Sequence, residues 1–363
     1  MPPLLEVQSL TTRFVGREPL TAVNDVSFAL PDGRVLVVLG ESGSGKSVLL
    51  RSILRLLPQG RAEVRGAVQF QGRDLLALPK AEMQAVRGNR IAMVFQEPLT
   101  ALDPVYTVGD QIGETLRRHE RLGRAEARAR TIELLRTVGI PAAERRVDNY
   151  PFEMSGGMRQ RVVIALALAC RPALLLADEP TTALDVTIQA QILALLQELC
   201  AQLDMGLILV THDIGVAAEM ADEVAVMYAG RFVEHGPVEA VLHAPAHPYT
   251  QGLIRANVRP GQHARLEAIV GQPPRLSRLP PGCAFGPRCP RATDTCRQTE
   301  PPEHSVAPDH TARCIHIGEP SVVSNELSAL GRQPSATNHQ PSAATQQAPA
   351  HDPRAAATPA SDR

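Results

Sequence analysis

Gly40-Glu41-Ser42-Gly43-Ser44-Gly45-Lys46-Ser47 follows the pattern G-x-x-x-x-G-K-[ST]. Residues of these types in this order suit the cradling of a polyphosphate. The glycines let the backbone wrap closely around an anion with its N–H groups turned inward, and a helix that follows adds its positive end. Lys46 would reach the β- and γ-phosphates, and the Ser47 hydroxyl would ligate Mg2+. A second element, Leu174-Leu175-Leu176-Ala177-Asp178-Glu179, ends an apolar run in two carboxylates. Asp178, at a strand end beside the phosphate loop, would hold Mg2+ through water. Glu179 would polarise an attacking water as general base. An apolar run ending in Asp-Glu is usually a strand leaving the core; coupled to the loop, it describes hydrolysis at a bound phosphate.

Elements of a particular kind must position these groups. Residues 35–39 read as a buried strand, 47–57 as a helix stopped by Pro58, and 173–177 and 207–210 as two more buried strands. In open parallel sheets ligands sit at the carboxyl ends of strands, which is where these residues fall. Residues 1–255 alternate β-rich runs with helical patterns, predicting an α/β domain. Residues 256–318 are rich in Pro, Gly, Arg and Cys and lack apolar periodicity. Residues 319–363 are dominated by Ala, Pro, Ser, Thr, Gln and Asn without an aromatic, a composition that predicts a disordered tail. The chain of 363 residues carries a formal charge of -1, so no global basic field would hold nucleic acid. The absence of Trp argues against stacking platforms for single strands. The longest uninterrupted apolar run, 162–170, is nine residues, against about 20 for a membrane-spanning helix. The start MPPLLEVQSL lacks a basic segment and an apolar core, so no signal peptide is expected and the cytoplasm is the default address.

Further motifs narrow the class. Ser155-Gly156-Gly157-Met158-Arg159-Gln160-Arg161 precedes a long apolar helix and resembles the signature motif of ABC-type ATPases. Gln96 in Val94-Phe95-Gln96-Glu97-Pro98 resembles their Q-loop, Ala183-Leu184-Asp185 their D-loop, and Thr211-His212-Asp213 their switch histidine. The order and spacing fit that family over residues 1–255. The resemblance implies a P-loop NTPase of ABC type with a helical subdomain at about 97–170. It implies two ATPase domains joined head to tail, with ATP sandwiched between the phosphate loop of one and the signature of the other. Ser155 and the amides of Gly156 and Gly157, at a helix N-terminus, would bind the γ-phosphate held by the partner. His212 would contact the γ-phosphate of its own site. Gln96 would sense Mg2+ and the attacking water, and Asp185 would act as the D-loop residue. Phe14 would stack on adenine, where the family usually has Tyr. Met154 and Met158 stand where Leu and Gln are usual, and neither change removes the Ser hydroxyl or the glycine amides.

The branch is legible too. The run from Phe95 to Pro104, the run His247-Pro248-Tyr249-Thr250-Gln251-Gly252-Leu253, Pro273-Pro274 and a Cys-rich end resemble the di- and oligopeptide importer ATPases as far as Cys314. The segment 45–58 resembles the first of the two non-identical ATPases such importers carry. This implies a paralogous second ATPase and two transmembrane permease subunits as partners, and indirectly an extracytoplasmic peptide-binding protein. It implies a peripheral position on the cytoplasmic face of the inner membrane. Nickel and glutathione importers share the branch, leaving those cargoes as alternatives. A soluble ABC ATPase acting on ribosomes or DNA is opposed by the single phosphate loop, the lack of a coiled-coil insertion and the near-zero charge.

Cys283, Cys289, Cys296 and Cys314 are separated by five, six and seventeen residues. A segment with little core of its own calls for a staple, and in a reducing compartment a metal is the natural one. The tight Cys pairs of structural zinc are absent. Four thiolates can also hold a [4Fe–4S] cluster, and free thiols are the third possibility. The family resemblance favours the cluster. Cys170 and Cys200, on apolar helical stretches, read as small core residues.

Overall fold

A computed structural model describes residues 2–317 apart from 59, 98–100, 183 and 257–267. Pro98 of the Q-loop segment, Ala183 of the D-loop and the tail 319–363 therefore lie outside the described residues, which all belong to one compact unit.

Two sheets carry the fold. β1 (Leu5–Phe14), β2 (Leu20–Leu30), β4 (Ala62–Phe70) and β5 (Arg73–Asp74) form an antiparallel sheet in the order β2-β1-β4-β5. The larger sheet begins with β3 (Val35–Leu39), β6 (Ile91–Val94), β7 (Leu174–Asp178), β8 (Gly206–Thr211) and β9 (Glu223–Tyr228), which lie parallel in the order β9-β3-β8-β7-β6. β3, β7 and β8 are buried at every position, as strands covered on both faces must be. Their pleat divides the core. Val37, Leu175 and Leu209 face one apolar cluster, while Leu36, Leu176 and Ile208 face another. The first cluster holds most of the helices, and the second packs the antiparallel sheet and the helix Lys46–Ile53 onto the parallel one.

The helical part comprises Val108–Glu120, Arg124–Thr137 and Gly156–Leu168, packed through Ile112, Leu116, Leu135 and Val162. Val186–Leu203 is long and apolar enough to cross a membrane by length and composition alone. Its residues Ile192, Leu193, Leu196, Leu199 and Cys200 form a buried stripe at helical spacing, which makes it an amphipathic core helix. Cys170 and Cys200 are both buried, as expected of core residues.

The helix after the phosphate loop is shorter than expected. It runs Lys46–Ile53, so Pro58 does not end it. Arg55 adopts φ 52° and Leu56 N–H donates to Arg51 O, a Schellman-type stop normally built on glycine. The Arg55 guanidinium donates to the Leu75 and Leu78 carbonyls at 3.1 and 2.6 Å, and these tertiary bonds hold the left-handed turn.

Strands from both sides of residue 255 share the larger sheet. β9 pairs antiparallel with β10 (Arg231–Pro237), which pairs with β12 (His310–Ala312) and through it with β11 (His304–Ala307). The Cys-bearing segment thus finishes the main sheet. Glu234 of β10, 1 % exposed, fixes the join. Its carboxylate accepts from Ala246 N–H, His247 N–H and His310 Nε2 at 2.6, 3.0 and 2.9 Å. Burial pushes the His247 imidazole down to about 4, with Glu234 opposing. His247 is therefore neutral, and its Nδ1 accepts the Tyr249 N–H at 3.0 Å.

Candidate nucleotide site and the cysteine pocket

The phosphate loop spans the gap between the end of β3 and Lys46, as its sequence requires. Gly40 and Gly45 take φ 154° and 109°. A Cβ at Gly45 would lie 2.2 Å from the Ala22 carbonyl oxygen, and one at Gly40 would lie 2.3 Å from that of Met227. Only glycine lets the loop press this closely on its neighbouring strands. Ser44 Oγ is buried without a hydrogen-bond partner, a donor left over for a ligand.

The loop forms one wall of an open cleft of about 810 Å³. Glu41, Ser42, Gly43, Lys46 and Ser47 line it with Gln96, Glu179 and His212, and so do the apolar side chains of Phe14, Leu20 and Leu276. Lys46, 4 % exposed, donates from Nζ to the Gly40 and Glu41 carbonyls at 2.8 and 3.0 Å. Burial lowers its pKa, and the carboxylates of Glu179, Asp178 and Glu41 pull it back up. A bound polyphosphate would strengthen that opposing pull.

Asp178 is fully buried at the end of β7 and accepts the Ser47 hydroxyl at 2.7 Å through Oδ1. Its Oδ2 has no hydrogen-bond partner; the Arg51 guanidinium is 4.0 Å away. Burial raises the Asp178 pKa, against the Ser47 hydrogen bond and the Arg51 charge. An orphaned carboxylate oxygen beside a hydroxyl is a donor set that fits Mg2+.

Glu179 sits at the centre. It takes φ 46°, a strained conformation outside glycine, and its N–H donates to Val210 O at 3.0 Å. Oε2 accepts from Gln96 Nε2 at 3.3 Å and Thr182 Oγ1 at 2.9 Å, and His212 Nδ1 stands 3.6 Å away. Lys46 Nζ lies 4.0 Å from Oε1. The carboxylate is 15 % exposed while His212 is 65 % exposed, so the histidine opens onto solvent above it. Gln96, Glu179 and His212 are therefore brought together with the loop as the motifs require. Thr182 was not singled out in the sequence; its only signal is a hydroxyl three residues after the glutamate.

The remaining motif residues lie apart from this cleft. Ser155 is the N-cap of Gly156–Leu168, its Oγ accepting from Met158 N–H at 3.4 Å. Ser155 and Gly156 are exposed, which leaves the first helical amides free to meet a second molecule. Asp185 caps Val186–Leu203 by accepting the Ile188 N–H at 3.0 Å.

Cys283, Cys289, Cys296 and Cys314 line one small pocket, with His316 among them. All are free thiols. Cys296 Sγ is 3.6 Å from His316 Nε2 and 3.4 Å from Thr293 Oγ1. Burial pushes the Cys289 thiol up to about 11 and also raises Cys283 and Cys314. Cys296 runs the other way, since hydrogen bonds from Thr293 and His316 outweigh its burial. Among the described residues no three His, Cys, Asp or Glu side chains are grouped to hold a single metal ion. His316 is a neighbour the spacing of the cysteines did not disclose.

Two family models match the chain. One, described as ABC transporter, covers residues 23–182; the other, described as oligopeptide/dipeptide transporter, C-terminal region, covers 233–296. A putative peptide import ATP-binding protein of Brucella ovis is 50% identical over 331 residues, covering 87% of this chain and 98% of the relative. The oligopeptide transport ATP-binding protein OppD of Bacillus subtilis is 47% identical over 326 residues, covering 88% and 91%. Among solved structures, the dimeric ATP-binding cassette MJ0796 bound to ADP and Pi aligns with TM-score 0.58 and 30% identity, covering 64% of this chain and 98% of that one.

Proposed function

This chain belongs to the peptide-import ATP-binding proteins of the ABC transporter family, and from that premise we propose that it is the ATP-hydrolysing subunit of a peptide importer. The observation that carries the reading is the convergence of Gln96, Thr182, His212 and Lys46 on the Glu179 carboxylate beside the phosphate loop.

Each residue takes a part that its surroundings support. Loop amides from Gly40 to Ser47 and the Lys46 ammonium bind the phosphates of ATP, and Phe14 and Leu276 face the adenine end. Glu179 accepts a proton from the attacking water. Gln96 and His212 hold that water and the γ-phosphate in line, and Thr182 fixes the carboxylate's rotamer. Ser47, Asp178 and Gln96 are the residues that would hold Mg2+. When bound, the ion neutralises charge building on the phosphates. Ser155 and the amides of Gly156 and Gly157 serve the ATP of a second, paralogous ATPase, with Asp185 at the same junction.

Membrane permease subunits are the partners of such an ATPase. Two of them, an extracytoplasmic peptide-binding protein and a peripheral place on the cytoplasmic side of the inner membrane complete the proposed assembly. Purification of the tagged chain from native membranes in mild detergent should bring down two multi-span proteins and a related ATPase. Recovery in the soluble fraction alone, with ribosomal or DNA-bound proteins, would sink the transport reading.

The cysteine pocket supports a finer proposal. Cys283, Cys289, Cys296 and Cys314 line one pocket, and four thiolates are the ligand set of a [4Fe–4S] cluster. Cys283, Cys289, Cys296 and Cys314 would hold it, and it would tie together the loops that carry them. Anaerobically purified protein should be brown with bound iron, and Cys283→Ser should bleach the absorbance and lose that iron. A colourless, iron-free wild type, or a variant of unchanged spectrum and iron content, overturns the ligand set.

A further inference from the structure

The cysteine segment reaches back to the phosphate loop. Its turn Gly286–Arg288 lies between Cys283 and Cys289, with Arg288 N–H bonded to Phe285 O and Cys289 N–H to Gly286 O. From that turn the Arg288 guanidinium forks onto Glu41. Nη1 donates to Oε2 at 2.6 Å and Nη2 to Oε1 at 2.9 Å. The arginine side chain is 5 % exposed. Its remaining donors are used as well: Nε on the Val270 carbonyl at 3.2 Å and Nη1 on Tyr228 Oη at 3.3 Å. The Tyr228 and Phe285 rings flank the guanidinium at 5.9 Å each. A second tie runs alongside, where Tyr249 Oη accepts the Glu41 backbone N–H at 2.9 Å. Glu41 is thus held at both side chain and backbone by residues 208 and 247 positions away in sequence.

We propose that Arg288 is a positioning residue for the phosphate loop, through which the cysteine-bearing segment of the same chain sets the nucleotide site's affinity. This rests on the ATPase reading of the loop. The physical reason is the cost of leaving either partner alone. A planar fork on a carboxylate, nearly sealed from water, is a strong and directional contact. Take away the guanidinium and Glu41 keeps a half-buried negative charge at the mouth of an anion cradle, where it repels the phosphates and swings toward Lys46. Take away the carboxylate and a buried cation loses its counter-charge. In both cases the loop loses its side-chain tie at Glu41 and keeps only the backbone one to Tyr249, while Gly45, Lys46 and Ser47 stay chemically intact. The defect should therefore appear in nucleotide binding more than in the hydrolytic step. Because Arg288 adjoins Cys289 in the turn that begins at Cys283, anything that reshapes that turn is felt at Glu41.

The test is a set of full-length variants in the assembled complex: Arg288→Met, Arg288→Lys, Glu41→Gln and the double Arg288→Met/Glu41→Gln. KM for MgATP should rise about tenfold in Arg288→Met, with kcat falling less than the KM rises. Lysine keeps the charge without the fork and should fall between Met and wild type. The double variant should be no worse than the poorer single, because both remove one contact. A KM within twofold of wild type in Arg288→Met or in Glu41→Gln overturns the proposal, as do effects that multiply in the double. If Arg288→Met fails to fold, Glu41→Gln alone decides, by the same KM criterion. A wild-type complex that binds no ATP would refute the ATPase reading itself; flat KM values across variants of an active complex refute only the role of Arg288.

Discussion

Glu179→Gln should retain ATP and lose turnover. The substitution preserves the shape of the side chain and leaves an oxygen to accept the Thr182 hydroxyl at its 2.9 Å contact. It removes the carboxylate proposed to take a proton from water. General-base catalysis contributes about 10² to 10⁴ in rate, and hydrolysis in the assembled complex should fall within that range. Affinity should hold or tighten, because a negative charge 4.0 Å from Lys46 and facing the γ-phosphate position is gone. The competing reading makes Glu179 a structural anchor for Gln96 and His212. An anchor replaced by its amide would keep most of its hydrogen bonds and cost little activity. Hydrolysis within tenfold of wild type, with nucleotide still bound, would therefore remove Glu179 from the role of base.

How far the site could be read beforehand depended on how local each signal was. Loop and carboxylates were legible because contiguous motifs impose their geometry: Gly40 to Ser47 must wrap, and an all-apolar strand must deliver Asp178 to its end. The buried strands were legible for the same reason, to within a residue. The end of the first helix was not. Proline at 58 is a general stop, whereas the actual stop at Ile53 depends on Arg55 finding two carbonyls twenty or more residues away. The role of Tyr249 was hidden although its motif was in view. Only the fold shows that a neutral, buried His247 fixes its backbone and that its hydroxyl meets Glu41. The Arg288–Glu41 pair, separated by 247 positions, leaves no local pattern. Composition marked a change near 255, but it could not show that the short, polar strand β12 would complete the main sheet.

Gly45→Ala should abolish nucleotide binding where Gly43→Ala only weakens it. Both glycines have positive φ, 109° and 79°, so an alanine at either bears backbone strain of about 1–3 kcal/mol. They differ in what the new methyl meets. At Gly43 nothing lies within 4 Å, whereas at Gly45 the Ala22 carbonyl oxygen of β2 is 2.2 Å away and the Met227 side chain 3.0 Å away. Backbone of a paired strand cannot swing aside as a side chain can, so the loop must move instead. Gly45 immediately precedes Lys46 and is the N-cap of its helix. A displaced loop misdirects the lysine and the first amides at once. Overpacking adds about 1–3 kcal/mol more. If that total falls on the bound state, ATP affinity drops by at least about thirtyfold. Fluorescent-nucleotide titration of the two variants, beside thermal melts to confirm that each is folded, separates the terms. Equal losses at 43 and 45 would mean that glycine's backbone freedom alone shapes the cradle, and that the close approach to β2 contributes nothing to it.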